Sequence, residues 1–593
     1  MECLKYPLDG TYLLKKKKKI KKELLHKGSF FIKKKIAILG GSTTSNVKQM
    51  IELFLLDQNI QPEFYESEYN QFYQDAVFQN DRLEAFAPDL IYIHTSNRNI
   101  TVFPSMMDSE EMIEKKFADE YDKFVNMWER LAHNFHCPII QNNFDYPYYR
   151  LLGNKDASDI HGKVNYISRL NMAFNKYAQT HSNFYINDIN YISSCYGLDR
   201  WCDLCDWYMY KYCCSIEAIP DLAYNIVRIM KSVFGKNKKG FVIDLDHTLW
   251  GGIIGDDGVE NIILGQETAE GQAYCEFQAY LKDHKQLGIL LNINSKNDLK
   301  NALSGLRHPD GILKEDDFIV IKANWEPKNK NHIEIAQTLS LLPESLVFID
   351  DNPAERAIVS GEIEEVETPC LDHVEDYIRT IDKMGYFEVT SFSDDDLLRN
   401  HMYKENAARE LHKKQFGSYT DYLKSLKMRG MIKPFEALYM SRIAQLTNKS
   451  NQFNLTTKRY TQNEIEDVSN NTDYITLYGK LVDKFGDNGV VSVIIGRIDN
   501  QELYLDLWLM SCRVLKRGME YAMMDALVKK CLDMNIRWMN GFYYPTTKNS
   551  MVRDFYHLQG FEKVYEDNAG NSKWKFEVTD KYKNKNSVIC VED

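Results

Sequence analysis

A chain of 593 residues, 44% hydrophobic and 27% charged, is too long for one domain and too apolar to be disordered. Its formal net charge of −12 argues against bulk nucleic-acid binding, which needs a basic face. No apolar run approaches the ~20 residues of a membrane span and no signal-peptide core follows the N-terminal lysines, so the 12 cysteines read as free thiols in a reducing cytoplasm.

Residues 1–34 form a basic arm, with Lys15 to Lys19, Lys21, Lys22 and Lys33 to Lys35 interleaved with Leu13, Leu14, Ile20, Leu24 and Leu25. A surface helix with solvated lysines is the expected form; contact with an anionic membrane face, carrier protein or phosphate-rich partner is the alternative. Residues 35–235 then alternate strand, loop and helix. Ile36–Leu39 ends in Gly40-Gly41-Ser42-Thr43-Thr44, and Leu90–Ile93 ends in His94-Thr95-Ser96-Asn97. Such alternation predicts a parallel α/β sheet.

Gly41-Ser42 after a strand suggests the SGNH hydrolase pattern, with Ser42 as nucleophile and Asn97 lining an oxyanion hole. That pattern also needs a late Asp-x-x-His pair, and Asp188 is followed three residues on by Tyr191. The triad is incomplete, so this domain reads as a scaffold or binding domain. Cys202-Asp203-Leu204-Cys205, with Cys213-Cys214 nearby, looks like half a zinc site. The spacing of the other half is wrong, and Trp201, Trp207, Tyr208 and Tyr210 favour a packed aromatic helix.

The block 236–385 carries the strongest signal. Its expected strands are Phe241–Ile243, Ile289–Ile293, Phe318–Ile321 and Leu346–Ile349. The first runs into Asp244-Leu245-Asp246-His247-Thr248, two carboxylates spaced i, i+2. The others lead to Asn294-Ser295-Lys296-Asn297, Asn324-Trp325-Glu326-Pro327-Lys328 and Asp350-Asp351-Asn352. Ligands of open α/β sheets bind outside the carboxyl ends of strands. A carboxylate there can attack phosphorus, a second can move protons, and a hydroxyl with a lysine can hold phosphoryl oxygens. Further carboxylates suit Mg²⁺. The short Asp244–Ser295 and Ser295–Lys328 intervals leave no room for a large cap domain, so a bulky substrate can reach the site.

A polar connector is expected over 386–430, with Asp394-Asp395-Asp396 as a helix start. The block 431–575 mixes strands at Val490–Ile495 and Leu503–Leu509 with a helix near Glu520–Leu532, and the tail 576–593 reads as loose.

The four motifs, in this order, resemble the haloacid-dehalogenase (HAD) phosphatase superfamily. That resemblance implies Asp244 as nucleophile, Asp246 as general acid/base, and Ser295, Lys328 and Thr248 as phosphate ligands. It also implies Asp244, Asp246, Asp350 and Asp351 around Mg²⁺. DLDHTLWGGIIGDDG from Asp244 to Gly258, NWEPK at Asn324–Lys328 and FIDDNPAER at Phe348–Arg356 are more narrowly similar to the FkbH-like branch (HAD-IIIC). QLTNKSNQFNLTT, KFGDNGVV and WLMSCRVLKRG, at Gln445–Thr457, Lys484–Val491 and Trp508–Gly518, resemble its acyltransferase-like (GNAT-type) tail.

The implied architecture is an SGNH-like α/β domain, a HAD-like doubly wound parallel sheet and a GNAT-like α+β domain. The implied activity takes the glyceryl unit of 1,3-bisphosphoglycerate, removes its phosphate and places glyceryl on the phosphopantetheine thiol of an acyl carrier protein. Cys512, Arg513 and Gly518 mark a possible acyl or pantetheine site, with Lys516 and Arg517 as further phosphate contacts. Two positions depart from the family: His247 stands where Asn is usual, and Asn294 where several members have Cys. With no thiol at 294, glyceryl transfers directly, another thiol serves, or the protein is a plain phosphatase of a sugar phosphate or similar metabolite. A non-enzymatic scaffold would be expected to have lost one of Asp244, Asp246 or Lys328.

Overall fold

Strands that lie inside a parallel sheet are covered on both faces, so their sequences read as unbroken apolar runs. The computed structural model describes residues 1–27, 31–450, 452–546 and 548–592, and the chain falls into two units, Met1–Lys236 and Asn237–Asp593.

In the first unit, β1 (Ile32–Gly40), β2 (Ile60–Glu66), β3 (Leu90–His94), β4 (Ile139–Asn142) and β5 (Phe184–Asn187) form an all-parallel sheet ordered β2-β1-β3-β4-β5. The basic arm forms a helix, Gly10–Lys27. Leu13, Ile20 and Leu24 lie on one face and are buried in the unit's core, while the lysines stay at the surface. Lys21 pairs with Glu52 at 2.8 Å. Lys33 to Lys35 fall inside β1, so the sheet begins before the lysine-rich stretch ends.

The second unit holds two sheets. The strands β6 (Gly240–Ile243), β7 (Leu290–Ser295), β8 (Val320–Ala323) and β9 (Leu346–Ile349) form a parallel sheet ordered β8-β7-β6-β9. Between β6 and β7 the chain makes only the short helix Ile254–Asp257 and the helix Ala269–Gln286, so no cap domain is inserted there.

The other sheet has eight strands: β10 (Met428–Lys433), β11 (Tyr474–Asp483), β12 (Gly486–Asp499), β13 (Glu502–Met510), β14 (Trp538–Tyr543), β15 (Glu562–Glu566), β16 (Ser572–Glu577) and β17 (Ile589–Glu592). Their order is β15-β16-β14-β13-β12-β11-β10-β17, antiparallel except for the β13–β14 and β10–β17 pairs. This is the mixed α+β architecture expected for a GNAT-like domain. The tail, expected to be loose, instead supplies β17: Ile589 is buried beside Met428, and Asp525 accepts the backbone N–H groups of Lys585 and Asn586. Among the described residues no helix is long and apolar enough to cross a membrane.

Two polar networks join the elements of this unit. Asp396 is buried and accepts from Gln445 Nε2 at 2.6 Å and Lys449 Nζ at 2.9 Å. Asp483, at the end of β11, accepts from Arg409 Nε at 2.8 Å and Arg517 Nη1 at 3.2 Å, with the Asp483 and Arg409 side chains fully enclosed. Removing the carboxylate would leave two guanidinium groups buried without it. Asp483→Ala is therefore expected to destabilise this unit by about 3–5 kcal/mol, read as a lowered urea midpoint; a loss below about 1 kcal/mol would show that the network relaxes to water.

Candidate active site

Register explains why the motif residues meet. Ile243 at the end of β6 pairs with Ile349 at the end of β9, and Asp244 N donates to Ile349 O at 2.9 Å. The next residue on each strand, Asp244 and Asp350, therefore emerges side by side. On the other side of β6, Ile243 pairs with Ile293, which places Ser295 two positions further on along β7. Ser295 pairs in turn with Ala323 at the end of β8, and the chain then turns through Pro327 so that Lys328 opens the helix Lys328–Thr338.

Lys328 Nζ donates to Asp244 Oδ2 and to Asp350 Oδ2, both at 2.6 Å, and all three side chains are buried. Burial works against the lysine's charge, but the two carboxylates outweigh it and its pKa is raised. One lysine cannot neutralise two carboxylates. Burial first, and then the Asp244 charge, push Asp350 up to about 7 against the pull of Lys328. The same two causes raise Asp351. The site carries surplus negative charge in a poorly solvated place, which is the condition that a cation relieves.

A divalent ion fits the residues present. One carboxylate oxygen each from Asp244, Asp350 and Asp351 lie within 4.8 Å of one another, the one such grouping among the described residues. Asp244 Oδ1 is buried with no hydrogen-bond partner. An all-oxygen donor set with one unsatisfied carboxylate oxygen suits a hard cation such as Mg²⁺.

Asp246 lies outside this grouping. Its Oδ1 accepts from Trp250 Nε1 at 2.9 Å and Ile254 N at 3.0 Å, and its Oδ2 from Asn297 Nδ2 at 2.9 Å. The side chain expected among the metal ligands is thus held apart from them by three donors, a geometry that suits a proton-relaying group. Thr248 is buried, and its hydroxyl lies 3.3 Å from both Asp351 N and Asp351 Oδ1, tying the first motif to the fourth. Ser295 is buried at the end of β7.

At His247 the backbone takes the left-handed conformation (φ 56°), and its carbonyl accepts from Tyr274 and Tyr377. Asn and His are both enriched in that conformation, so either residue fits this turn. Asn294 is buried and donates to Lys328 O at 2.8 Å, so it braces the lysine. Three supporting residues escaped the sequence reading of roles: Asn297, Trp250 and Arg356, whose Nη1 donates to the Asp350 and Asp351 carbonyls at 2.8 and 2.6 Å. All lie inside the quoted motifs, but nothing local marks their partners.

The residues proposed for acyl transfer are not assembled into a site. Cys512 packs on the core of the β6–β9 sheet, 3.8 Å from the Tyr403 hydroxyl. Arg513 is buried and donates to Met402 Sδ and to Ser511 Oγ, while Arg517 is held by Asp483 and Asn406. The donors of Arg513 and Arg517 serve internal bonds, so these two expected phosphate contacts give way to buried networks, whereas Lys516 is exposed. Gly518 has φ +87° directly before the helix Met519–Asp533, and a Cβ there would approach Val588 within 2.8 Å. β13 and β14 pair only over Glu502–Tyr504 with Trp538–Asn540 and then separate. The chain's own segment enters that gap: Leu455 N donates to Trp508 O and Tyr544 N to Leu455 O.

In the first unit, Asn97 donates its amide to Asp145 Oδ1 at 2.9 Å, so it does not offer an oxyanion hole. Asp188 caps the helix Ile189–Tyr196. Cys202, Cys205, Cys213 and Cys214 belong to no metal-ligand grouping among the described residues, and Leu204–Tyr210 is a helix capped by Asp203.

Residues 35–231 match the family described as FkbH, N-terminal domain. The N-terminal part of the protein BF1531 from Bacteroides fragilis, solved with its phosphatase domain complexed with Mg, is 29% identical, with a TM-score of 0.58, covering 64% of this chain and 99% of that one. The ribosomal-protein-S18-alanine N-acetyltransferase of Escherichia coli (11% identity) and Ard1 of Thermoplasma volcanium (22%) each cover 26% of this chain, and 97% and 99% of their own, at a TM-score of 0.20. No curated protein matches the chain significantly.

If the carboxylate grouping holds the ion, millimolar Mg²⁺ should raise the thermal midpoint of the wild-type chain, by mass action on the folded state. Asp350→Asn should abolish that rise. An equal rise in the variant would place the ion elsewhere.

Proposed function

We propose that this FkbH-like chain, whose central domain is a HAD-type phosphatase, dephosphorylates the phosphoglyceryl unit of 1,3-bisphosphoglycerate and places glyceryl on the thiol of an acyl carrier protein. The observation that carries the phosphatase half is Asp244: its Oδ2 is held by Lys328 at 2.6 Å while its Oδ1 is buried without a partner.

Asp244 attacks phosphorus in line and forms an acyl-phosphate. Asp246, fixed by Trp250, Ile254 and Asn297, protonates the leaving oxygen and later takes a proton from the attacking water. Lys328 and the Ser295 hydroxyl hold the phosphoryl oxygens. Asp244, Asp350 and Asp351 would hold Mg²⁺, which when bound offsets the repulsion between an anionic nucleophile and an anionic substrate. The absence of a cap between β6 and β7 supports a carrier-sized substrate.

A second reading, a plain phosphatase of a sugar phosphate, is favoured by Asn294. It is buried, its amide is bonded to Lys328 O, and no thiol stands beside Ser295 to take an acyl group.

Two experiments test these readings, the first the phosphatase chemistry common to both and the second the choice between them. Asp244→Asn should lower phosphate release by at least ~10³-fold with the fold intact; retained turnover would remove Asp244 from the chemistry. Wild-type chain with Mg²⁺, bisphosphoglycerate and a pantetheinylated carrier protein should add one glyceryl mass to the carrier. Free phosphate with an unmodified carrier would select the plain phosphatase.

A further inference from the structure

The strand order β2-β1-β3-β4-β5 reverses direction between β1 and β3, and it is at such a switch point that open α/β sheets bind ligands. Three chemistry-bearing residues meet there. Ser42 lies two residues beyond β1, and His94 is the last residue of β3. Cys213 arrives from far along the chain. Thr43 N donates to Lys211 O at 3.0 Å and Thr43 Oγ1 to Tyr210 O at 2.6 Å, which pins the returning segment onto the β1 turn. Gly41 permits the tightness of that turn, since a Cβ there would come within 2.4 Å of the Asn99 amide.

Cys213 Sγ lies 3.4 Å from His94 Nε2, and His94 Nδ1 lies 2.8 Å from the Tyr92 hydroxyl and 3.3 Å from Asn142 Nδ2. With Nδ1 carrying its proton toward Tyr92, Nε2 faces the thiol as a base. His94 and Tyr92 are enclosed, whereas Cys213 keeps 9% of its surface exposed. Ser42, 2% exposed, has a hydroxyl with no conventional hydrogen-bond partner that lies against the Cys213 thiol. A buried, unpartnered hydroxyl beside a thiol–imidazole pair is a polar group left for something absent from the chain itself.

We propose that Cys213 is an acyl-accepting nucleophile, with His94 as its base and Tyr92 as the residue that positions the ring, and that its substrate is an acyl thioester.

The thiol's pKa is held well below its ordinary value, first by its bond from Cys214 and then, against burial, by His94. In the step, His94 Nε2 takes the Cys213 proton and the sulfur forms a bond to the thioester carbonyl carbon. The old carbon–sulfur bond then breaks, and the departing thiolate takes the proton back from His94. One thioester replaces another, so no further reactant is needed. The second imidazole nitrogen faces a phenol and an amide rather than a carboxylate. Thioester exchange, whose leaving thiolate is no more basic than the attacking one, needs no carboxylate behind the ring. The Ser42 hydroxyl can donate to the carbonyl oxygen as it gains charge. This site uses no residue of the phosphatase centre and does not rest on that reading.

The test uses the full chain and S-acetyl-pantetheine, with no phosphate ester present. Peptide mass mapping should find acetyl on Cys213, removable by neutral hydroxylamine, forming faster than on the exposed Cys195, Cys205, Cys370 and Cys590. His94→Gln should slow the reaction by at least ~10-fold, and Tyr92→Phe by less, with phosphatase turnover unchanged in both. Labelling of Cys213 no faster than of the four exposed cysteines in the wild-type chain would overturn the proposal. An unchanged rate in a folded His94→Gln chain would overturn it too.

Discussion

Lys328 lies between two buried carboxylates, and the phosphatase centre is built on that imbalance. A lone buried lysine would lose its proton and a lone buried aspartate would gain one. Here the lysine stays charged because Asp244 and Asp350 face it, and Asp350 is driven toward neutrality first by burial and then by the Asp244 charge, against the pull of Lys328. The remaining negative potential, with Asp351 alongside, prepares the place for a divalent ion and for the phosphoryl group that comes with it. Asp244 follows β6, Asp350 and Asp351 follow β9 and Lys328 opens a helix, so the arrangement exists only when the four-stranded sheet is in register.

The same geometric principle recurs in the first unit. A parallel sheet delivers successive chain segments to its carboxyl edge, and there Ser42 and His94 meet a cysteine more than a hundred residues distant in sequence. A hydrolase triad read along the sequence fails at Tyr191, yet the sheet assembles a different nucleophile–base pair in that crevice. In the eight-stranded sheet the polar groups that look available for a ligand, Arg513 and Arg517, are drawn inward by Ser511, Asn406 and Asp483.

Strands that carry the phosphatase motifs were legible because they are short, rich in apolar residues and lead into carboxylate or amide clusters; β9 was read to its final residue and β8 was displaced by two. β2, with Gln61, Pro62 and Glu63 at the sheet edge, offers no apolar run, and β4 and β5 are four residues each with too few apolar positions to stand out. The motif aspartates were visible, but the partners that divide their labour were not. Trp250, Ile254 and Asn297 hold the Asp246 carboxylate, which lies outside the ion-site grouping, through contacts that no spacing encodes. Arg513 looked like a ligand because sequence does not report burial, and β17 was invisible because a four-residue strand needs its partner to exist.

The central claim is that the Asp244 carboxylate becomes covalently bound to phosphorus during turnover. Acid-quenching the enzyme in the steady state and reducing it with borohydride converts an aspartyl phosphate to homoserine, which peptide mass spectrometry can locate. The account predicts homoserine at position 244, formed only when substrate and Mg²⁺ are both supplied. Turnover that proceeds with residue 244 unreduced, or with the reduced residue elsewhere, would contradict it.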